Sequence, residues 1–425
     1  MKVLSVSYSD LEGGAARAAY RLHHALLKEG IDSQMLVQKK SSDEYTIVGP
    51  TSNLQNAFVA LGASVDLLPT KWYKNRTLTK FSTAWRSSGK IINMINAIDP
   101  DIVHLHWING GMLSIKDLSK IKAPVVWSMH DMWTFTGGCH YSENCSAFTG
   151  ECGNCKVLGS TKAYDLSRWV YNRKATFFSK MPETVFIGMS RWMSEAAISS
   201  SLLRDKKVVT LPNPIDSHTY APVDKLQACQ LLQLPQDKKL VLFGAIRATD
   251  DPRKGYTELQ EAINKLMCDN AELIIFGSST PLSEHQMKYP THYLGHFHDD
   301  VSLRLLYSAA DVMVVPSQQE AFGQMASEAM ACGTPVVAFG HTGLLDIVEH
   351  QVNGYLARPL DTQDLANGIE WVLNAENYDE LCLNARNKVL KEFDSHIVAQ
   401  KYIELYKMTI QNKADLLKEH ERGQG

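Results

Sequence analysis

Two carboxylates eight residues apart stand in the run Ser317-Gln-Gln-Glu320-Ala-Phe322-Gly323-Gln324-Met-Ala-Ser-Glu328. The apolar stretch Val312 to Val315 before them reads as a strand, and the stretch after Gly323 as a helix. Glu320 then falls in the loop at a strand's carboxyl end. Gly323, flanked by Phe322 and Gln324, lets the backbone approach a ligand closely, and the free N–H groups opening the next helix suit a diphosphate. Glu328, in the second helical turn, reaches a different part of the same ligand. One carboxylate can hold a sugar hydroxyl and the other ribose hydroxyls. Alone, two Glu at this spacing are ordinary on helix surfaces; the loop around them gives them chemistry.

Cations are placed to match. Arg247 and Lys254 follow the strand Leu240 to Phe243, where a pair of positive charges can grip a diphosphate and stabilise the charge that grows on a departing phosphate oxygen, without a metal ion. Arg253 is an alternative to Lys254, and a plain basic surface loop is the competing reading. Gly13 and Gly14 lie between the first strand and the first helix, so tandem glycines turn the chain and open backbone amides there. His130-Asp131 again follows a strand, Val125 to Met129. His104 and His106 alternate on the strand Ile102 to Trp107 and share a face, as core or wall residues.

Cys139, Cys145, Cys152 and Cys155 crowd half of the eight cysteines into one Gly- and Asn-rich loop. In a reducing compartment this spacing suits a structural zinc, with free thiols or a redox pair as the alternatives. The stretches 168–174 and 71–76 mix basic and aromatic residues and suit either anionic lipid headgroups or ordinary helix surface.

Elements that position these groups alternate along the chain as short β-branched runs and helix-length amphipathic segments, which predicts parallel strands with helical crossovers. The rhythm restarts after Leu211-Pro212-Asn213-Pro214. The expected architecture is α/β: an N-terminal Rossmann-like domain over 1–215, a second over 216–395, a cleft between them, and a C-terminal helix over 396–425 returning to the first. At 425 residues, 44% hydrophobic and 21% charged, the chain is long enough for two globular cores. Residues 1–216 carry 25 Lys and Arg against 18 Asp and Glu, whereas the remainder carries 18 against 28. A basic front half suits anionic partners, yet no nucleic-acid motif is present. The polar start and the lack of a long apolar run predict a cytoplasmic protein, at most peripheral at the membrane, with Ala57 to Val65 as a core helix.

The Glu, seven residues, Glu spacing, Phe322-Gly323 and the run Glu328-Ala-Met-Ala-Cys-Gly-Thr-Pro-Val-Val resemble the signature of family four (group 1) retaining glycosyltransferases of the GT-B fold, in the branch that builds bacterial surface polysaccharides. The resemblance implies a nucleotide-sugar donor and a saccharide acceptor, lipid-linked in that branch. It implies that Arg247 and Lys254 hold the diphosphate, that the Gly13-Gly14 loop approaches donor phosphate or acceptor, and that His130 contacts the donor sugar. It further implies that no cofactor takes part in catalysis and that same-face attack retains the anomeric configuration. The family does not require the cysteine cluster. Rival readings are a nucleotide-sugar epimerase or a phosphorylase in the same two-domain frame, and a non-catalytic binding or scaffold subunit.

Overall fold

The computed structural model describes residues 1–87, 89–244, 251–278, 287–297 and 299–422. It divides into two compact units, Met1–Pro212 with Val398–Gly425, and Asn213–Ile397.

The first unit is built on seven parallel strands: β1 (Lys2–Ser9), β2 (Asp32–Lys39), β3 (Ile47–Val48), β4 (Ile102–Leu105), β5 (Val125–Met129), β6 (Thr184–Gly188) and β7 (Lys207–Thr210). Their order across the sheet is β3-β2-β1-β4-β5-β6-β7. Every residue of β4 and β5 is buried, as expected of strands covered on both faces by crossover helices. The sheet order reverses direction between β1 and β4, and at such a switch point the two loops leaving the strands' carboxyl ends diverge and open a crevice.

The second unit repeats the plan with β8 (Lys239–Gly244), β9 (Ala271–Phe276), β10 (Thr291–Tyr293), β11 (Val312–Val315), β12 (Val336–Phe339) and β13 (Gly354–Ala357), in the order β10-β9-β8-β11-β12-β13 and again all parallel. Its switch point falls between β8 and β11. Val241, Phe243, Leu273, Ile275, Val312 and Val314 form the sheet's share of a core closed by the helices Tyr256–Lys265 and Thr362–Leu373.

Beyond the second sheet come two helices, Tyr378–Glu392 and Ser395–Arg422, the second at the position of the C-terminal helix expected over 396–425. The break at Phe393-Asp394 serves the linker: Ile215 exchanges backbone hydrogen bonds with Phe393 and Ser395. From Val398 onward the last helix belongs to the first unit, because Val398, Tyr402 and Tyr406 are buried there. The Tyr406 hydroxyl meets His104 Nδ1 at 2.7 Å.

A departure concerns Ala57 to Val65. They lie in a helix, Asn53–Asp66, but it is no core element, since Leu54, Phe58 and Leu61 are all exposed. Among the described residues no helix is long and apolar enough to cross a membrane.

Candidate active site

In the second unit, Glu320 sits in the loop that leaves β11 and Lys254 in the short 3-10 turn Pro252–Lys254 that follows β8. These are the two strands flanking the switch point, so side chains 66 positions apart in sequence converge. Lys254 Nζ donates to Glu320 Oε1 at 2.6 Å, and Ser317 Oγ donates to the same oxygen at 2.9 Å. Glu320 is only 9% exposed, and its backbone is pinned too: its N–H donates to Thr342 Oγ1, and its carbonyl accepts from the Gly343 N–H at 2.9 Å.

Local geometry requires two glycines here. Gly255 ends the Lys254 turn at φ +76°, and a Cβ on it would lie 1.9 Å from the Pro316 carbonyl oxygen. Gly323, at φ +105°, is the N-cap of the helix Gln324–Ala331, whose first N–H groups open beside Glu320's loop. Arg253, the alternative to Lys254, instead turns its guanidinium to Asp251 Oδ2 at 2.6 Å. Arg247 lies outside the described residues.

Glu328 is in the second turn of that helix, 4% exposed, and accepts from the buried Tyr307 hydroxyl at 2.8 Å. Phe322 does not line an open surface: its ring is buried edge-on against Phe393, with centroids 5.3 Å apart.

The first unit gathers a different set. Gly13, at φ +91°, caps the helix Gly14–Lys28 right after β1. His130 Nε2 and His106 Nδ1 are 3.0 Å apart, with their rings stacked. Burial lowers the His130 pKa to about 4, against a weaker upward pull from Asp131, so the ring is neutral, and of the two facing nitrogens one donates and the other accepts. Next to it, Asp131 Oδ2 is 2.6 Å from His140 Nδ1 and accepts from Trp107 Nε1 at 3.1 Å. Burial alone would raise the Asp131 pKa; the His140 contact and the Trp133 amide outweigh it and hold the carboxyl below its usual range.

Comparison with known proteins gives a family. The profile described as Glycosyltransferase Family 4 matches residues 12–219, and that of Glycosyl transferases group 1 matches residues 230–389. The chain is a group 1 glycosyltransferase. It is 26% identical over 398 residues to the phosphatidyl-myo-inositol mannosyltransferase of Mycobacterium leprae, covering 89% of this chain and 92% of that one. Its fold is that of GT-B structures. Anabaena HepE, solved with UDP and glucose, superposes with a TM-score of 0.62 at 18% identity over 96% of this chain and 99% of its own. WaaG, a glycosyltransferase involved in lipopolysaccharide biosynthesis, gives 0.63 at 16% over 95% and 99%.

For this glycosyltransferase, then, Glu320, Gly323, Lys254 and the start of the Gln324 helix come together in one unit, and Gly13, Gly14 and His130 lie at strand ends of the other. Sequence reading missed Ser317 and Thr342 as partners of Glu320, and His140 as the partner of Asp131. Ser317 carried a usable signal, three residues before Glu320; His140 carried none, because a loop fold brings it to Asp131.

Cys139, Cys145, Cys152 and Cys155 lie in the connection between β5 and β6. All four thiols are free, and among the described residues no three of them come within 4.8 Å of one another. Burial pushes the Cys152 thiol up to about 11 and raises Cys139 and Cys155 as well, with the neighbouring cysteines adding to the rise. Protein groups hold the loop. Arg168 donates to the Cys152 carbonyl through Nε and Nη2, and Asp165 accepts from the Cys155 amide. Lys174, fully buried, donates to the carbonyls of Trp133 and Thr136 and lies 3.7 Å above the Trp133 ring. In the 168–174 stretch Arg173 donates to the Ala84 and Trp85 carbonyls, while Trp169 is exposed.

Proposed function

We propose that the protein moves a sugar from a nucleotide-sugar donor to a hydroxyl of a lipid-linked saccharide, with retention of configuration, in the assembly of a bacterial surface polysaccharide. The observation that carries this reading is the Lys254–Glu320 pair at the switch point, beside a glycine-capped helix N-terminus.

The donor diphosphate lies against that N-terminus, and Lys254 faces it. An ammonium has three N–H donors, so the one held by Glu320 leaves two for phosphate oxygens. Glu320 binds a hydroxyl of the donor sugar, and Glu328 the ribose. As the anomeric C–O bond breaks, the electron pair leaves with the phosphate oxygen, where Lys254 and Arg247 offset the charge. The acceptor oxygen bonds the same face of the anomeric carbon, and its proton passes to the departing phosphate oxygen. Neutral His130 serves the donor sugar as a hydrogen-bonding group. No metal is needed for charge balance in this scheme.

The donor assignment draws on the UDP and glucose of HepE, and the lipid-borne acceptor on the phosphatidyl-inositol of the mycobacterial relative's name. A site of action at an anionic membrane surface is supported by Leu54, Phe58 and Leu61, and by Trp72 (85% exposed) among exposed Lys71, Lys74 and Arg76.

The deciding experiment screens UDP-, GDP- and ADP-sugars for turnover with lipid-linked acceptors and determines the anomeric configuration of the product by NMR. A retained linkage supports the scheme. Inversion, or epimerised donor without transfer, would overturn it.

A further inference from the structure

In the first unit, three metal-capable side chains meet that the transfer reaction does not use. His23 and His24 lie in the Gly14–Lys28 helix, and Glu44 in the connection between β2 and β3; each offers a ligand atom, and these atoms lie within 4.8 Å of one another. His24 Nε2 is 3.0 Å from Glu44 Oε2. That contact is not aligned as a hydrogen bond: the nitrogen is buried as an atom and has no hydrogen-bond partner. Two ligand atoms bound to one tetrahedral ion at about 2.0–2.1 Å stand roughly 3.3 Å apart, so the observed separation is one that a shared cation needs little movement to occupy.

The groups behind these ligands are organised in the same sense. The other Glu44 oxygen, Oε1, accepts from the Tyr20 hydroxyl. His23 Nδ1 is 2.8 Å from Ser33 Oγ, which fixes that ring and leaves Nε2 toward Thr46 Oγ1 at 3.0 Å. Hydroxyls holding the far side of a ligating imidazole and a ligating carboxylate are the usual outer partners of a metal site. His23 taken alone is an ordinary core histidine satisfied by two hydroxyls; His24 Nε2, unpartnered beside a carboxylate, is what that reading leaves unexplained. His24 and Glu44 keep 34% and 27% of their side-chain surface exposed, so the cluster lies at the edge of the unit and not in its core.

We propose that His23, His24 and Glu44 hold one divalent ion of the zinc class, which clips the helix behind the Gly13 loop to the β2–β3 connection. Two imidazoles and a carboxylate suit borderline ions over calcium or magnesium. The connection is already anchored at its start, where Asp10 accepts from the Ser41 and Ser42 amides; the ion secures its end. The consequence is structural and independent of the proposed transfer reaction.

The test uses the full chain after chelator treatment, titrated with Co²⁺ and Zn²⁺. One equivalent of Co²⁺ should give weak visible bands without the intense near-ultraviolet absorption of thiolate–cobalt bonds. Zinc should raise Tm by several degrees. Glu44→Gln and His24→Asn should each weaken zinc binding at least about tenfold while leaving the Tm of the metal-free chain near that of the parent. A thiolate-dominated cobalt spectrum, zinc affinity unchanged in both variants, or no binding at micromolar metal would overturn the proposal.

Discussion

Lys254 Nζ and Glu320 Oε1 stand 2.6 Å apart across the β8–β11 switch point, at the carboxyl ends of two adjacent parallel strands. Ser317 holds the same carboxylate oxygen from its other side. A charged donor preplaced in this way needs no reorganisation when negative charge develops on a bound phosphate.

Lys254→Ala should therefore lower kcat by roughly 10²–10³-fold. Lys254→Arg should retain a larger share of activity, since a guanidinium also donates to phosphate. Steady-state assays with the best nucleotide-sugar, alongside circular dichroism to confirm folding, decide it; an alanine variant with parental kcat would remove Lys254 from the chemistry.

The two glycines at φ +76° and +91° should respond differently to alanine. Gly255 has the Pro316 carbonyl oxygen 1.9 Å from where a Cβ would be, whereas Gly13 has nothing within 4 Å. Gly13, at φ +91° and ψ 164°, lies in a backbone region that is nearly exclusive to glycine, so Gly13→Ala should cost about 1–3 kcal/mol from backbone strain alone. Gly255→Ala adds a steric clash with main chain to left-handed strain and should cost more than about 4 kcal/mol. Urea denaturation of both variants measures the difference, and equal costs would contradict the packing described around Gly255.

Removing the Tyr307 hydroxyl deprives the buried Glu328 carboxylate of a donor at 2.8 Å. Tyr307→Phe keeps the ring's packing, so the loss isolates the hydrogen bond. We expect destabilisation of about 1–3 kcal/mol, read as a lower denaturation midpoint with unchanged m-value. A variant as stable as the parent would mean that the carboxylate finds another donor.

Burial lowers the His104 pKa to about 3, with a smaller contribution from His130. In the unfolded chain the ring titrates near its ordinary value of about 6.5. Between those values the unfolded state binds the proton and the folded state does not, so this stability is complete above pH 6.5 and is lost as pH falls toward 3. The sign predicts a loss of about 2 kcal/mol from this ring between pH 7 and 5. Denaturant midpoints across that range should fall in the parent and fall less in His104→Gln; parallel slopes would exclude His104 as the cause.

The sequence by itself determined the class of fold and much of the second-unit site. Apolar β-branched runs such as Val125 to Met129 and Val312 to Val315 mark strands without reference to anything distant, because a strand buried on both faces has to be apolar throughout. Polar strands were invisible for the same reason: β2, with Asp32, Ser33 and Gln34, lacks that pattern. Glu320, Gly323 and Glu328 were legible because they share one strand–loop–helix unit, whose geometry is local. Pairings across elements were not.

Only the tertiary structure decided that Lys254, and not Arg253, meets Glu320, that Tyr307 holds Glu328, and that Phe322 packs against Phe393. Four cysteines within one loop look like a metal clamp in the sequence; in the fold no three of their thiols come within 4.8 Å of one another. Spacing along a chain limits how far apart two side chains can be. Their direction is set by what the rest of the fold packs against them, and coordination and hydrogen bonding depend on direction.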